Sequence, residues 1–333
     1  MKKYNVAVVG VGAVGEEMLR VLRQRKFPVN QLKVFARSNR EITVDGQKYQ
    51  VESLTENSFR GMDIALFAGT EGEKGAAVTY APHAVKAGAV VIDNGADFRM
   101  DKNVPLVVPE ANAADVKKHK GIIANPNCST IQMVVALAPI HKKAGLKRII
   151  AATYQAVSGS GRGGIVQAEE EFRAWATNSD NSVERHMDQS VAFNIFPQIG
   201  SFSDDDYTTE EWKMIKETHK ILHDSKIKIS ATTVRVPVKT GHSEAVYLET
   251  KKPLTTDAIR KLFAKSPGIT VIDDPKNKLY PMPKDCEGKD DVFVGRIRRD
   301  PFVKNAFWLW IVSDNLRKGA ALNAVQIAEE LIK

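Results

Sequence analysis

Cysteine is scarce in this sequence. Only Cys128 and Cys286 occur among 333 residues, far apart and without metal-ligand spacing. A disulfide framework needs several cysteines, and a zinc site needs short repeated spacings such as Cys-x-x-Cys. The sequence therefore argues against a disulfide-stapled fold and predicts no metal site. It suits a reducing compartment, so we expect a cytoplasmic protein.

Long apolar runs and blocks of like charge are also missing. No stretch reaches the roughly 18 apolar residues of a membrane-spanning helix, so we expect no membrane contact. The formal net charge is +8, but basic residues are interleaved with acidic ones and form no long run. No aromatic-basic repeat accompanies them. We therefore expect no nucleic-acid partner, and the charge favours an enzyme with anionic ligands.

The stretch 125–130, Asn-Pro-Asn-Cys-Ser-Thr, places the first cysteine where a strand should end and a helix begin. Residues 121–124 predict a short buried strand, and the apolar run 131–138 predicts a helix that Pro139 bends or ends. Unpaired N–H groups and the helix dipole favour a thiolate there, which is the reactive form of cysteine. We therefore interpret Cys128 as a nucleophile. The alternative is a small buried cysteine without a chemical role.

A glycine-rich turn follows the first apolar segment. Residues 4–9 predict a strand, Gly10, Gly12 and Gly15 follow it, and an amphipathic helix comes next. This order of strand, glycine turn and helix lets a pyrophosphate approach the helix N-terminus closely. We interpret the segment as a dinucleotide site. A glycine-rich connection without a ligand is the alternative.

The second predicted strand, residues 32–36, ends in basic and hydroxyl side chains rather than in an acid. An Asp or Glu there would bind a ribose 2′-hydroxyl, whereas Arg37 beside Ser38 suits a 2′-phosphate. The pattern thus favours NADP over NAD. A solvated basic turn is the alternative.

Two kinds of pattern divide the chain. Up to about residue 145, strands alternate with helices, including those predicted over 71–86 and 111–119, and this alternation indicates a doubly wound parallel sheet of the Rossmann type. Beyond it, longer apolar strands separated by helices and polar insertions predict an α+β domain. The amphipathic stretch 319–332 predicts a last helix that returns to the first domain.

Several segments spread over the chain resemble one family. They are VIDNGADFR (91–99), VPLVVPEAN (104–112), YQAVSGSGRGG (154–164), EEWK (210–213), VRVPVKTGHSEAV (234–246), FVGRIRRD (293–300) and VSDNLRKGAALNAVQIAE (312–329). With the Cys128 stretch, they closely resemble aspartate-β-semialdehyde dehydrogenases. The resemblance implies an NADP-binding domain over 1–127, with 315–333 packing back on it, and a catalytic and dimerisation domain over 128–314.

Carried over position by position, the resemblance implies roles for particular side chains. Cys128 would be the acyl-forming nucleophile, His242 the general acid/base, and Gln155 the residue that orients the intermediate. Arg235 would bind the substrate carboxylate and Glu210 its ammonium group. The residues that would hold phosphate are Arg99, Asn127 and Lys213.

The cofactor of the resembled family is NADP, and no metal is implied. The glycine turn of that family commonly reads G-x-x-G-x-x-G, whereas Gly10 and Gly12 in this sequence stand one residue closer together. The positions that the resemblance assigns to the cofactor are Gly10, Gly12, Ala13, Val14, Gly15, Arg37, Ser38, Thr70, Ser158, Gly159 and Asn315, the last near the nicotinamide.

The implied activity is the reversible oxidation of L-aspartate 4-semialdehyde to L-4-aspartyl phosphate, with NADP and inorganic phosphate, through a cysteine thioester. It would serve the biosynthesis of diaminopimelate, lysine, threonine and methionine, in a homodimer or homotetramer. N-acetyl-γ-glutamyl-phosphate reductase, which shares the fold and the thiol chemistry, is the nearest alternative. Glu210 argues against it, because that substrate has an acylated amine. A non-catalytic dinucleotide-binding protein is the other alternative.

Overall fold

The strands of this protein build two sheets, one in each of two structural units. The computed structural model describes residues 2–69, 75–179 and 183–333. The chain divides into a first unit, Met1–Asn127 with Ala320–Lys333, and a second unit, Cys128–Gly319. The chain thus enters the second unit at Cys128 and returns to the first at Ala320, later than the expected residue 315.

Within the described ranges there are thirteen strands and nine helices. The strands are β1 (Tyr4–Val9), β2 (Val29–Ala36), β3 (Arg40–Val44), β4 (Gln47–Ser53), β5 (Ile64–Phe67), β6 (Val90–Asp93), β7 (Ile122–Ala124), β8 (Leu146–Gln155), β9 (Lys228–Arg235), β10 (His242–Thr250), β11 (Ile269–Val271), β12 (Val292–Arg299) and β13 (Ala306–Ser313). The helices are α1 (Ala13–Gln24), α2 (Ala76–Lys86), α3 (Pro109–Asn112), α4 (Cys128–Ala144), α5 (Gly161–Ala176), α6 (Thr209–Leu222), α7 (Thr256–Phe263), α8 (Pro283–Cys286) and α9 (Leu322–Leu331).

The first unit is a doubly wound α/β structure, as predicted. Its sheet has the order β3-β4-β2-β1-β5-β6-β7. Every neighbouring pair is parallel except β3 and β4, a hairpin absent from the sequence prediction. Asp45 and Gly46 turn this hairpin with φ values of 47° and 77°. An Asp-Gly pair is suited to that turn, so the signal was present in the sequence.

Helix α1 covers one face of this sheet. It buries Met18, Leu19 and Leu22 in the cluster that holds Val6 and Val8, two residues of β1 on the same face. Burying each such aliphatic side chain stabilises the fold by about 1.5–3 kcal/mol. Helix α9 packs in the same cluster and contacts α1, so the C-terminal helix returns to the first unit as predicted.

The helix predicted over 111–119 is wrong in its bounds. The structure has the short α3, which begins at Pro109, and then a 3₁₀ turn, Ala113–Lys118. The Asn112 side chain accepts a hydrogen bond from the Val108 N–H at 2.9 Å and donates one to the Leu106 carbonyl. Such local side-chain bonds compete with a regular helix. For the helix predicted over 71–86, the structure gives α2 from Ala76, and residues 70–74 lie outside the described residues.

The second unit contains a mixed sheet with the order β11-β12-β13-β10-β8-β9. Strand β10 pairs antiparallel with β13 and β8, and β8 pairs parallel with β9. Helix α4 packs against this sheet with most of its side chains buried, and it continues through Pro139 to Ala144. The second unit therefore contains the start of α4, the last residues of β8 and β9, and the first residue of β10. No helix in the described parts of the chain has the length and apolar character needed to cross a membrane.

Candidate active site

Cys128 is the first residue of α4, where backbone N–H groups have no partner within the helix. Its side chain is half-buried, and neither cysteine forms a disulfide. Cys286 differs, because burial raises the pKa of its thiol to about 12 and makes a thiolate unavailable. Of the two cysteines, Cys128 is the one with access and with surroundings that favour a thiolate.

A π-helical turn, Arg317–Ala321, passes against Cys128. An ideal Cβ built on Gly319 would lie 2.9 Å from the Cβ of Cys128 and 3.5 Å from that of Asn315. Real Cβ contacts below 3.0 Å essentially do not occur, so the turn can approach Cys128 only with glycine at this position. Sequence reasoning missed Gly319, because a glycine within a helical pattern carries no chemical signature.

His242 begins β10 and is fully buried. The backbone N–H of Ala156 donates a hydrogen bond to its Nδ1 at 3.0 Å. Burial, and then the positive charge of Arg235, hold the pKa of His242 well below its usual value of about 6.5. The imidazole is therefore neutral at physiological pH.

Arg235 ends β9 and is 5% exposed. Its Nη1 donates to the carbonyl oxygen of Ala156 at 2.5 Å. Burial lowers the pKa of this guanidinium, while the negative charges of Glu210 and Cys128 raise it. Ala156 thus anchors both His242, through its N–H, and Arg235, through its carbonyl. Sequence reasoning gave Ala156 no role, because its contribution is entirely backbone.

Glu210 lies in the first turn of α6 and is 6% exposed. The helix start is fixed by a capping box between Thr208 and Glu211. Gln155 Nε2 lies 3.4 Å from Glu210 Oε1, and Lys213 Nζ lies 3.5 Å from Glu210 Oε2. The second unit therefore brings Gln155, Glu210 and Lys213 together.

Asn315 joins two loops of the second unit. Its Oδ1 accepts from the Gly241 N–H at 2.9 Å, next to His242, and its Nδ2 donates to Ser158 Oγ at 2.9 Å. An ideal Cβ on Gly159 would lie 3.1 Å from His242 Nε2, so Gly159 borders this histidine. The three positions expected to bind the cofactor in this unit, Ser158, Gly159 and Asn315, therefore lie close to the expected catalytic histidine.

Glu244 is a buried acid that sequence reasoning did not assign. It follows His242 by two positions on β10, so both side chains lie on the same face of the strand. Burial raises the pKa of its carboxyl well above the usual value, opposed in part by the Gln132 amide. Neither carboxyl oxygen has a partner in full hydrogen-bonding geometry within the described ranges. Burial therefore favours the neutral form of the Glu244 carboxyl.

The glycine turn of the first unit fits a dinucleotide. Gly10 has a φ of +96°, and an ideal Cβ on Gly15 would lie 1.9 Å from the Gly10 carbonyl oxygen, so the turn requires glycine at both positions. An ideal Cβ on Gly12 would meet nothing within 4 Å, and no side chain caps α1, which begins with Ala13 and Val14. The uncapped first turn is the setting that binds a pyrophosphate.

Four polar residues follow β2, all of them exposed: Arg37, Ser38, Asn39 and Arg40. Arg40 Nη1 lies 3.1 Å from Ser38 Oγ, so a second guanidinium stands beside the expected Arg37 and Ser38. Thr70, also expected to contact the cofactor, lies outside the described residues.

The expected phosphate residues fall in both units. Arg99 and Asn127 are buried in the first unit, and Lys213 is in the second. Arg99 Nε donates to the Asn125 carbonyl at 3.0 Å, and its Nη2 donates to the Asn94 carbonyl at 2.7 Å. These bonds hold the guanidinium at the carboxyl edge of the parallel sheet, where ligands of such folds bind. Within the described residues, no cluster of His, Cys, Asp and Glu could hold a metal ion.

A dinucleotide-binding α/β unit followed by a mixed-sheet unit with a thiol, a histidine and a buried arginine is the arrangement of a dehydrogenase that acts on an aldehyde. Residues 5–119 match the domain family "semialdehyde dehydrogenase, NAD binding domain", and residues 137–318 match "semialdehyde dehydrogenase, dimerisation domain". The chain belongs to the aspartate-semialdehyde dehydrogenase family.

The relatives cover the whole chain. The aspartate-semialdehyde dehydrogenase of Aquifex aeolicus is 51% identical over 99% of this chain and 98% of its own, and that of Bacillus subtilis is 48% identical over 99% and 97%. The crystal structure of aspartate semialdehyde dehydrogenase II from Vibrio cholerae, complexed with ASA, matches with a TM-score of 0.94 at 42% identity, covering 100% of this chain and 99% of that one. The fold class expected from the sequence is thereby confirmed.

Proposed function

We propose that this protein oxidises L-aspartate 4-semialdehyde to L-4-aspartyl phosphate, with NADP and inorganic phosphate and through a thioester on Cys128. The observation that carries the proposal is the anchoring of His242 and Arg235 on one residue, Ala156, in the same unit as Cys128 and Glu210. This constellation supplies a nucleophile, a hydrogen-bonding group for the carbonyl, and one charge of each sign for an amino acid.

Arg235 and Glu210 bind the amino-acid end of the substrate. A small zwitterion offers one carboxylate and one ammonium group, and the two side chains are close enough for Glu210 to raise the pKa of Arg235. A planar guanidinium fixes the direction of a carboxylate as well as its charge. N-acetyl-γ-glutamyl phosphate would leave Glu210 without a cation, which disfavours the related reductase activity.

The chemistry proceeds on Cys128. Its thiolate adds to the aldehyde carbon and gives a thiohemiacetal, which becomes a thioester after loss of hydride and is then cleaved by phosphate. His242 acts as the general acid/base in the proton steps, and Gln155, whose Nε2 lies 3.4 Å from Glu210 Oε1, orients the intermediate. When bound, NADP supplies a nicotinamide ring that accepts hydride. The glycine turn, with Ser158, Gly159 and Asn315, is the set of residues that would hold it.

NADP is the preferred cofactor in this proposal. Support comes from Arg37 and Ser38 after β2 and from Arg40, whose guanidinium adjoins Ser38. Two exposed guanidinium groups and a hydroxyl suit a 2′-phosphate, and no acid is present there to bind a 2′-hydroxyl. Arg99, Asn127 and Lys213 would bind the inorganic phosphate, because each offers a donor and two carry positive charge.

The protein assembles as a homo-oligomer through the outer face of the second-unit sheet. Ile150 and Tyr154 are 42% and 38% exposed on this face, and Tyr154 packs against Trp310 with ring centroids 5.5 Å apart. Tyr247 and Trp308 add a second aromatic pair, with centroids 5.3 Å apart. A patch of this kind marks an interaction surface, and a second copy of the same sheet would cover it. A reducing cytoplasm suits a reactive thiol.

Reduced-nicotinamide absorbance with aspartate semialdehyde tests the function. We expect turnover that requires phosphate, prefers NADP and is absent with N-acetylglutamate semialdehyde. The assay is run on the wild-type protein with and without prior alkylation of Cys128. Turnover that is independent of phosphate, or unaffected by alkylation, would contradict the proposal.

A further inference from the structure

Asn94 and Asn125 form a closed ring of hydrogen bonds with Arg99 in the first unit. Arg99 Nε donates to the Asn125 carbonyl at 3.0 Å, and Nη2 donates to the Asn94 carbonyl at 2.7 Å. The two asparagine side chains are bonded to each other as well, because Asn125 Nδ2 donates to Asn94 Oδ1. Two backbone carbonyls therefore hold the guanidinium, and the residues that supply them are held by one another.

The ring is attached to the carboxyl ends of three neighbouring strands. Asn94 follows β6 and Asn125 follows β7, and these two strands pair parallel, so their last carbonyls lie side by side. Asn94 Nδ2 also donates to the carbonyl of Phe67, the last residue of β5, at 3.0 Å. The direction of the Arg99 side chain is thus set at the sheet edge where ligands of such folds bind.

Asn323 connects this ring to the C-terminal helix. It lies on α9, is fully buried, and donates from Nδ2 to Asn125 Oδ1 at 2.6 Å and to the Val107 carbonyl at 2.9 Å. The Asn125 side chain therefore accepts from Asn323 at one end and donates to Asn94 at the other. Without Asn323 the buried Asn125 oxygen would lose this donor, and a buried polar atom that loses its partner favours a changed conformation.

We infer that Asn323 is a positioning residue for Arg99, acting through Asn125, so that the C-terminal helix fixes the guanidinium that binds inorganic phosphate. The inference rests on the proposed function, because it takes phosphate as the ligand of Arg99. Charge-assisted bonds from a guanidinium to phosphate depend on the direction of its planar fork. Neutral carbonyls orient this fork without adding a negative charge that would compete with the anion.

The phosphate dependence of turnover tests the inference. Asn323→Ala should raise the KM for phosphate about ten- to a hundredfold, the cost of one charge-assisted hydrogen bond. The KM values for aspartate semialdehyde and NADP, and kcat at saturating phosphate, should stay within about twofold of the wild type. Asn94→Ala, at a half-buried position, opens the ring on its other side and should raise the same KM. A fall in kcat with a rise in all three KM values would mean that Asn323 acts on the fold or on Cys128, and would overturn the inference.

Asn112→Ala is the matched control. It removes another buried asparagine whose side chain bonds to the same stretch of backbone as Asn323, since its partners are Leu106, Val108 and Asp115. It should lower the melting temperature and leave the KM for phosphate unchanged. In an Arg99→Lys background, which lacks the planar fork, adding Asn323→Ala should raise that KM by less than about twofold. A rise in Asn112→Ala equal to that in Asn323→Ala, or a full additive rise in the double variant, would overturn the inference.

Hydrogen exchange at Arg99 Nε tests the positioning without turnover. In ¹⁵N-arginine-labelled protein, with the resonance assigned by its loss in Arg99→Lys, the wild-type Nε–H should exchange slowly, because it is buried and bonded to the Asn125 carbonyl. Asn323→Ala should accelerate this exchange at least about tenfold. Equal exchange in the two proteins would overturn the inference. If the wild type turned over without phosphate, the proposed function would fail, whereas the exchange measurement would still judge the positioning.

Discussion

Arg235 provides a quantitative test of substrate recognition. Its guanidinium is 5% exposed and is fixed by the bond from Nη1 to the Ala156 carbonyl. Lysine keeps the positive charge but offers a single ammonium group instead of a planar fork. Arg235→Lys should therefore lose one charge-assisted hydrogen bond, about 1.5–3 kcal/mol. This corresponds to a fall in kcat/KM of about ten- to a hundredfold.

The assay compares two aldehydes by reduced-nicotinamide absorbance. With aspartate semialdehyde, Arg235→Lys should show the full loss, whereas a truncated aldehyde without the amino-acid end should be affected much less. Arg60→Lys, which changes an exposed guanidinium of the first unit, is the matched control and should alter neither rate. If both aldehydes slow by the same factor in Arg235→Lys, the guanidinium does not read the carboxylate and the reasoning fails.

Four further outcomes are expected. Cys128→Ala should abolish turnover by several orders of magnitude with an unchanged melting temperature, and a substantial residual rate would assign the nucleophile elsewhere. Arg37→Ala should weaken NADP affinity about ten- to a hundredfold and spare NAD, as saturation curves for both cofactors would show. Gly319→Ala should lower kcat, because the added Cβ would lie 2.9 Å from the Cβ of Cys128 and would push that residue out of place; an unchanged kcat would refute this. Glu244→Gln should stabilise the protein relative to the wild type, and increasingly so as pH rises above about 4.5. The reason is that the carboxyl ionises there in the unfolded state, whereas burial keeps it neutral to a higher pH in the folded state. Equal denaturant midpoints for mutant and wild type at both pH 5 and pH 8 would contradict this prediction.

Periodicity and residue type predicted the framework better than its details. The glycine turn and the alternation of strands and helices identified the first unit, because those signals are local in the chain. The sequence prediction lacks the β3–β4 hairpin, although the Asp45-Gly46 pair is typical of such a turn. The helix predicted over 111–119 has the wrong bounds because the Asn112 side chain bonds to nearby backbone groups. In both cases turn chemistry outweighed the apolar pattern.

The candidate active site shows why the chemistry of a side chain is easier to predict than its position. His242 and Arg235 carry side chains whose chemistry points to catalysis and to carboxylate binding, whereas Ala156, which holds both, contributes only an N–H and a carbonyl. Any residue except proline supplies those two groups, so no residue type at position 156 could have signalled the contact. The contact exists because β8 lies between β9 and β10 in one sheet although it is far from both of them in sequence. The placement of His242 and Arg235 is therefore a property of the sheet and not of either residue alone.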